Sequence, residues 1–139
     1  MPEAVVVAAT RSPIGRANKG SLVDMRPDDL ATQVVTSLME RSGVDASEVE
    51  DLIMGCGQPA GESGYNIGRV VAVEAGMPDV PGVTVNRYCS SSLQTTRMAA
   101  HAVKAGEGDC FISAGVETVS RVMSGMSDGM PGTTNPDFD

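Results

Sequence analysis

The stretch Val83-Thr-Val-Asn-Arg-Tyr-Cys-Ser-Ser-Ser-Leu93 joins a short apolar run to a helical run. It predicts a strand over Val83–Asn86, followed by a helix that begins at Cys89 or Ser90. A sulfur at the first turn of a helix lies at the positive end of the helix dipole, which favours the nucleophilic thiolate. Cys89 is therefore a candidate nucleophile at a strand-to-helix junction. The alternative is a small buried hydrophobe, a common role for free cysteine.

Working outward, short apolar runs predict three more strands, at residues 4–9, 51–57 and 110–115. Pro27 opens a predicted helix that ends at Gly43, and the next predicted helix runs from residue 67 to residue 75. The helix after Cys89 ends near residue 106, and its many small residues predict that it is buried among other elements. The β-α-β-α-β-α-β order predicts an α/β fold with a mixed, mostly parallel sheet and helices on both faces.

Composition narrows the possible partners and the cellular setting. The 139 residues suit one domain, and the net charge of -8 argues against nucleic acid and against an anionic membrane surface. No apolar run approaches the ~20 residues of a membrane helix. The N-terminus has no secretory-signal pattern. Three cysteines at spacings that match no metal site predict free thiols, no bound metal and a cytoplasmic location.

The remaining candidates for chemistry are weaker than Cys89. Cys56 and Cys110 fall in predicted strands and are expected to be core residues. His101, the single histidine, lies twelve residues beyond Cys89 on the same predicted helix, about 18 Å away, which is too far for a Cys-His pair. Glu117 follows the last strand and is either a general base or, as we favour, a structural acceptor for backbone N–H groups or for Arg121.

Four stretches together resemble the N-terminal part of the thiolase family of acyl-CoA acyltransferases. They are Ala8–Gly15, Tyr65–Arg69, Val85–Leu93 and Ala114–Arg121. One residue departs from the family pattern, since thiolases usually have glycine where this chain has Ser92. The sequence Cys-Ser-Ser-Ser-Leu instead resembles the motif of the related β-ketoacyl synthases.

The resemblance implies that Cys89 attacks an acyl-CoA or 3-ketoacyl-CoA and carries the acyl group as a thioester. The Cys89 N–H would then contribute to an oxyanion hole. Ser92 and Leu93 would contact the substrate. Structural or interface roles fall to Asn66, Arg69, Asn86, Arg87 and Glu117. Coenzyme A enters as substrate or product, and no cofactor is expected.

The resemblance also implies a division of the chain and a partner for it. Residues 1–118 would form the N-terminal α/β domain, and residues 119–139 would begin a loop region. The family's activating histidine and second cysteine belong to a C-terminal half, and neither Gly-His-Pro nor Cys-x-Gly-Gly occurs in this chain. We therefore expect inactivity for this chain alone, and a homodimer or homotetramer for the full-length protein.

Two alternatives to an acyl-CoA thiolase stay open. The chain could be a non-catalytic module that oligomerises through its sheet edge or an exposed apolar face. It could also be a condensing enzyme of the β-ketoacyl synthase type, an interpretation that depends on Ser92.

Overall fold

A computed structural model describes residues 3–122 of the chain. The helices are α1 (Pro27–Ser42), α2 (Ile67–Glu74), α3 (Ser91–Ala105) and the short α4 (Val119–Val122). The strands are β1 (Asp51–Gly55), β2 (Gly82–Val85) and β3 (Phe111–Gly115). Single 3-10 turns occupy Ala46–Glu48, Gly61–Ser63 and Tyr88–Ser90. Residues 123–139, most of the predicted loop region, lie outside the described part, so the domain boundary after residue 118 stays a prediction.

The three strands form a parallel sheet in the order β2-β1-β3. Gly55, at the end of β1, pairs with Val85 of β2 on one side and with Gly115 of β3 on the other. The chain moves one position sideways from β1 to β2 and then back across β1 to β3. Because such crossovers are right-handed, this reversal puts α2 and α3 on opposite faces of the sheet. The predicted α/β fold with a parallel sheet is confirmed.

Side chains of β1 alternate between these two faces, as the period of a strand requires. Leu52 and Met54 are fully buried in the core cluster, against Val35 of α1 and Val71 of α2. Gly55 points to the other face, where it meets the first turn of α3. The central strand is therefore covered on both sides, and its carboxyl end lies where α3 begins.

Helix α1 follows its local sequence signals closely. Pro27 is its first residue, and Gly43 ends it in the left-handed conformation at φ 69°, with its N–H bonded to the Met39 carbonyl at 3.0 Å. Asp28 is buried in the first turn and pairs with Arg26. Burial raises the pKa of Asp28, but hydrogen bonds from Arg26 and from the backbone outweigh it and hold that pKa below its usual value.

The strand predicted over residues 4–9 is wrong. This segment has no strand assignment, and Val5, Val6 and Val7 are 75 to 80% exposed. An apolar run becomes a strand only when a neighbouring strand accepts and donates its backbone hydrogen bonds. Both sides of β1 are taken by β2 and β3, and residues 4–9 pair with none of the strands within residues 3–122. Apolar composition alone therefore does not make this segment a strand.

Helix α3 also differs from its prediction, because it is not buried among other elements. Its buried residues are Ser91 and Thr95, both on the side that faces the sheet. The Thr95 hydroxyl lies 2.9 Å from the Ser113 hydroxyl of β3. The other sides of the helix are partly or fully exposed. Small residues allow one side of α3 to pack closely against the sheet. Small side chains on the other sides of the helix do not show that those sides are buried.

No helix within residues 3–122 has the length and apolar character needed to cross a membrane.

Candidate functional site

An open cavity of about 600 Å³ lies at the carboxyl ends of β1 and β3 and beside the first turn of α3. Its walls come from three loops that are far apart in the sequence: the segment after β1, the turn before α3 and the segment after β3. They include Gly57, Tyr88, Cys89, Ser92 and Glu117. This is the edge of a parallel sheet at which α/β proteins place their ligands.

Two glycines let α3 begin directly against the sheet. A Cβ atom on Gly55 would lie 2.6 Å from the Ser91 carbonyl carbon and from the Ser92 nitrogen. A Cβ atom on Gly115 would lie 2.6 Å from the Ser92 Cβ. Both distances are shorter than real Cβ contacts, so only glycine fits at either position. The seat made by Gly55 and Gly115 fixes how near the first turn of α3, and Cys89 just before it, comes to the strand ends.

Cys89 is an exposed, free thiol in the 3-10 turn immediately before α3. The helix therefore begins at Ser91, slightly later than predicted, and Cys89 lies at its amino end. Within residues 3–122 the Cys89 N–H has no hydrogen-bond acceptor. A thiol, an uncommitted N–H and the positive end of a four-turn helix thus meet at one edge of the cavity.

The turn that carries Cys89 is held by side chains on both of its flanks. Asn86 Oδ1 accepts the Tyr88 N–H at 2.8 Å, and Asn86 Nδ2 donates to the Gly57 carbonyl at 3.1 Å. Ser91 Oγ accepts the Arg87 N–H at 2.9 Å and donates to the Tyr88 carbonyl at 2.6 Å. Tyr88 itself has a φ of 49°, which is left-handed and uncommon for any residue with a side chain. The turn is therefore fixed by four side-chain hydrogen bonds.

Glu117 binds the loop that follows β1. Its Oε2 accepts the Gly57 N–H at 2.8 Å, and its Oε1 accepts the Gln58 N–H at 3.1 Å. The same Oε1 lies 3.7 Å from the Cys56 Sγ. The carboxylate thus acts as a backbone acceptor on the cavity wall. It is not paired with Arg121, which instead binds Glu62.

The other two cysteines lie in or against the core. Cys56 is fully buried just past the end of β1. Burial, reinforced by the nearby Glu117 carboxylate, raises the pKa of the Cys56 thiol to about 11. Cys110 precedes β3 and is half-buried, and burial raises the pKa of its thiol as well. Both thiols stay protonated near neutral pH, so Cys89 is the thiol best exposed for chemistry.

The remaining predicted residues lie at different distances from the cavity. Ser92 lines it, whereas Leu93 is 73% exposed and is not part of its wall. Asn66 is the residue before α2, but its side chain bonds β2 instead of capping the helix: Nδ2 donates to Gly82 O at 2.7 Å. Arg69 donates to the carbonyls of the turn between α2 and β2.

Arg87 and His101 are exposed, and neither belongs to the wall of the cavity. His101 lies within α3 and not in its first turn.

Residues 4–138 match the sequence profile described as "Thiolase, N-terminal domain". The chain belongs to the thiolase family. It is 45% identical to a 3-ketoacyl-CoA thiolase from Bacillus subtilis over 123 residues, which cover 88% of this chain and 32% of that protein. It is 45% identical to a beta-ketoadipyl-CoA thiolase from Acinetobacter baylyi over 138 residues, 96% of this chain and 34% of the relative. This thiolase-family chain therefore spans about a third of the length of these curated relatives.

A third relative carries a similar name. The 3-oxoadipyl-CoA/3-oxo-5,6-dehydrosuberyl-CoA thiolase from Escherichia coli is 43% identical over 123 residues, 87% of this chain and 30% of that protein. All three names describe thiolases of CoA thioesters.

The roles of several residues near Cys89 were not predicted from the sequence. Gly57 and Ser91 were not singled out, although each makes two of the contacts that hold the Cys89 turn and the loop beside it. The role of Asn86 could have been predicted from the sequence, because an asparagine side chain in a turn often accepts the backbone N–H of the residue two positions later. The role of Gly57 could not, because its partners Asn86 and Glu117 lie 29 and 60 positions away.

Within residues 3–122, no group of three or more histidine, cysteine, aspartate or glutamate side chains is arranged to hold a metal ion.

Proposed function

We propose that this chain is the nucleophile-bearing part of an acyl-CoA thiolase and that Cys89 carries the acyl group as a thioester. One observation supports the proposal above the others: the exposed Cys89 thiol lies on the wall of the cavity at the amino end of α3. The thiolase names of the relatives supply the substrate class, a CoA thioester.

The proposed chemistry balances in two steps. The Cys89 thiolate attacks the 3-keto carbonyl of a 3-ketoacyl-CoA, and the bond between C2 and that carbonyl carbon breaks. Acetyl-CoA leaves as its carbanion and takes a proton, while the shortened acyl group stays on Sγ. The thiol of coenzyme A then attacks the thioester, loses its proton and leaves as the shortened acyl-CoA. The bond from the acyl carbon to Sγ breaks and returns its electron pair to the Cys89 sulfur. The reverse direction is a Claisen condensation of two acyl-CoA molecules.

The uncommitted Cys89 N–H supports one further assignment within this proposal. In each step a carbonyl oxygen gains negative charge, and a preorganised N–H donor stabilises that charge. Main-chain N–H groups at a helix amino end suit this task because they need no reorganisation. We assign the Cys89 N–H to the oxyanion hole. We assign Ser92, which lines the same cavity, to substrate contact.

On the part of the cavity wall that the structure describes, the titratable side chains besides Cys89 are Tyr88 and Glu117, and the Glu117 oxygens already accept two N–H groups. The reaction needs a base that activates Cys89 and an acid that protonates the leaving carbanion. We propose that both come from a C-terminal half, as the family resemblance implies. Without them we expect thiolysis to fall by several orders of magnitude. Thiolysis of acetoacetyl-CoA by the 139-residue chain alone, at a rate above the solution reaction, would overturn this expectation.

Acyl transfer to Cys89 is tested directly by mass spectrometry. The chain is co-expressed with a thiolase C-terminal half, incubated with acetyl-CoA and digested under conditions that preserve thioesters. We expect one acetyl group on the peptide with Cys89, its loss in Cys89→Ser and its retention in the matched variant Cys110→Ser. An acetyl group equally abundant in Cys89→Ser would contradict the proposal.

We also propose that the full-length protein self-associates as a homodimer or homotetramer in the cytoplasm. The supporting observation is apolar surface that this chain leaves uncovered, at Val5, Val6, Val7 and Leu93, each at least 73% exposed. Burial of such a surface between copies would be favourable. Light scattering across a concentration series tests this, and a stable monomer at the highest concentration would contradict it.

A further inference from the structure

We propose that Asn86 is a positioning residue for Cys89, a role that rests on the proposed function of Cys89 as nucleophile. Asn86 does not reach the reacting sulfur. It acts through Tyr88, the residue directly before Cys89, and through Gly57, the residue against which that turn is packed.

The first step of the argument is the conformation of Tyr88. Its φ of 49° is a left-handed value that is unfavourable for a residue with a side chain. Such a conformation persists only where surrounding contacts determine it. The Asn86 side chain supplies one of these contacts by accepting the Tyr88 N–H at 2.8 Å. Loss of that bond would let Tyr88 return to an ordinary conformation and would rotate the chain at Cys89.

The second step is the other end of the same amide. Asn86 Nδ2 donates to the Gly57 carbonyl, and a Cβ atom on Gly57 would lie 3.2 Å from the Tyr88 Cα. The Gly57 peptide therefore lies directly against the Tyr88 backbone. Its N–H is held at the same time by Glu117. Asn86 thus joins the Cys89 turn to a peptide that is itself anchored to the segment after β3.

The third step is the choice of side chain. The position needs an acceptor for the Tyr88 N–H and a donor for the Gly57 carbonyl at once, and the Asn86 amide offers them on two separate atoms. Aspartate would keep the acceptor but set a carboxylate against the Gly57 carbonyl and near Glu117. Ser91 Oγ accepts the Arg87 N–H and donates to the Tyr88 carbonyl, and the Ser90 N–H donates to the Arg87 carbonyl. Within residues 3–122 this leaves the Cys89 N–H as the backbone donor of the turn without an acceptor.

The closing experiment measures the alkylation rate of Cys89 by iodoacetamide in Asn86→Ala and Asn86→Asp. In both variants the alkylation rate of Cys89 should fall about two- to fivefold, because the turn no longer holds the sulfur at the positive end of α3. A general loosening of the fold would instead speed the alkylation of the buried Cys56, whose rate we expect to stay at the wild-type value.

Asn66→Ala is the matched control. Asn66 makes the same pair of bonds elsewhere, donating to the Gly82 carbonyl and accepting the Thr84 hydroxyl. We expect it to keep the wild-type alkylation rate at Cys89. Equal slowing in Asn66→Ala and Asn86→Ala would overturn the proposal, and so would wild-type alkylation in a folded Asn86→Ala.

Amide hydrogen exchange on the unmodified chain tests the proposal even where a variant fails to fold. The Tyr88 N–H should exchange at least about tenfold more slowly than the Cys89 N–H, because Asn86 accepts the first and nothing in the described chain accepts the second. Equal exchange at the two positions would overturn the positioning role. None of these measurements uses an acyl-CoA, so a negative acylation result would count against the proposed function without deciding the role of Asn86.

Discussion

Gly55 and Gly115 are register partners on neighbouring strands, and the first turn of α3 rests on both of them. Two adjacent positions without side chains at the carboxyl end of a sheet make a flat seat for a helix end. Cys89 lies two positions before the first residue of that helix.

Gly55→Ala should destabilise the fold by about 1–3 kcal/mol, because its Cβ meets rigid backbone atoms of Ser91 and Ser92 at 2.6 Å. Gly108→Ala is the control, since the Cβ there meets mainly side chains of Glu50 and Phe111, which move more easily. Urea unfolding followed by circular dichroism measures both. Equal losses in the two variants would show that the seat is not rigid.

Iodoacetamide at neutral pH should modify Cys89 first, Cys110 more slowly and Cys56 slowest in the native chain. Cys89 is exposed, whereas burial raises the pKa of both other thiols. Peptide mapping at timed intervals gives the three rates. Labelling in denaturant is the control and should abolish the order. Early labelling of Cys56 in the native chain would contradict the buried position described for it.

Alkaline pH should weaken the fold through Cys56. Its folded pKa of about 11 lies above the ordinary value of 9.0, so the protonated thiol stabilises the folded state below pH 9.0. This contribution disappears as the pH rises from 9.0 to about 11, a loss of about 3 kcal/mol by linkage. Cys56→Ser keeps a hydroxyl donor for Glu117 and does not titrate in this range.

The measurement is the free energy of unfolding against pH for the wild type, Cys56→Ser and Cys89→Ser. The alkaline decline should be steeper in the wild type than in Cys56→Ser, and Cys89→Ser should follow the wild type. Parallel curves for all three would contradict the prediction.

Glu62→Gln should release the start of the region after β3. The Glu62 carboxylate forms ion pairs with Arg121 of α4 and with Arg26, the residue before α1. These contacts connect three segments of the chain. Hydrogen exchange at residues 119–122 should speed up, as it should in the wild type at high salt. Glu74→Gln, which disturbs a single bond to the Thr32 hydroxyl, is the matched control. Unchanged exchange in Glu62→Gln would show that the ion pairs do not hold this segment.

Acid should have the same local effect as that substitution. The Arg121 hydrogen bonds hold the pKa of Glu62 below its ordinary value of 4.5. The contribution of these contacts is therefore complete above pH 4.5 and is lost as the pH falls through the lower, folded pKa. Exchange at residues 119–122 measured down this range tests the direction, and a loss that begins well above pH 4.5 would contradict it.

Local signals account for the features that were predicted correctly. Pro27 and Gly43 bound α1 because a missing N–H suits the first turn and a left-handed φ suits the residue after the last. Cys89 was predicted at a strand-to-helix junction for the same local reason. The error at residues 4–9 is of the opposite kind, since strand formation depends on a neighbour that composition does not identify. The anchoring of Gly57 by Glu117 was equally invisible, because it joins positions 60 apart.

The order β2-β1-β3 has a consequence for how the protein is made. β1 emerges first from the ribosome, yet its hydrogen bonds on one side wait for β3, whose residues are synthesised some 60 positions later. Parallel pairings of this separation raise contact order and slow folding. The loop beside Cys89 is likewise incomplete until Glu117 has been added. The Cys89 thiol is therefore present on the nascent chain before the loop beside it is complete. We expect chaperone occupancy during translation to be highest between the synthesis of β2 and that of β3.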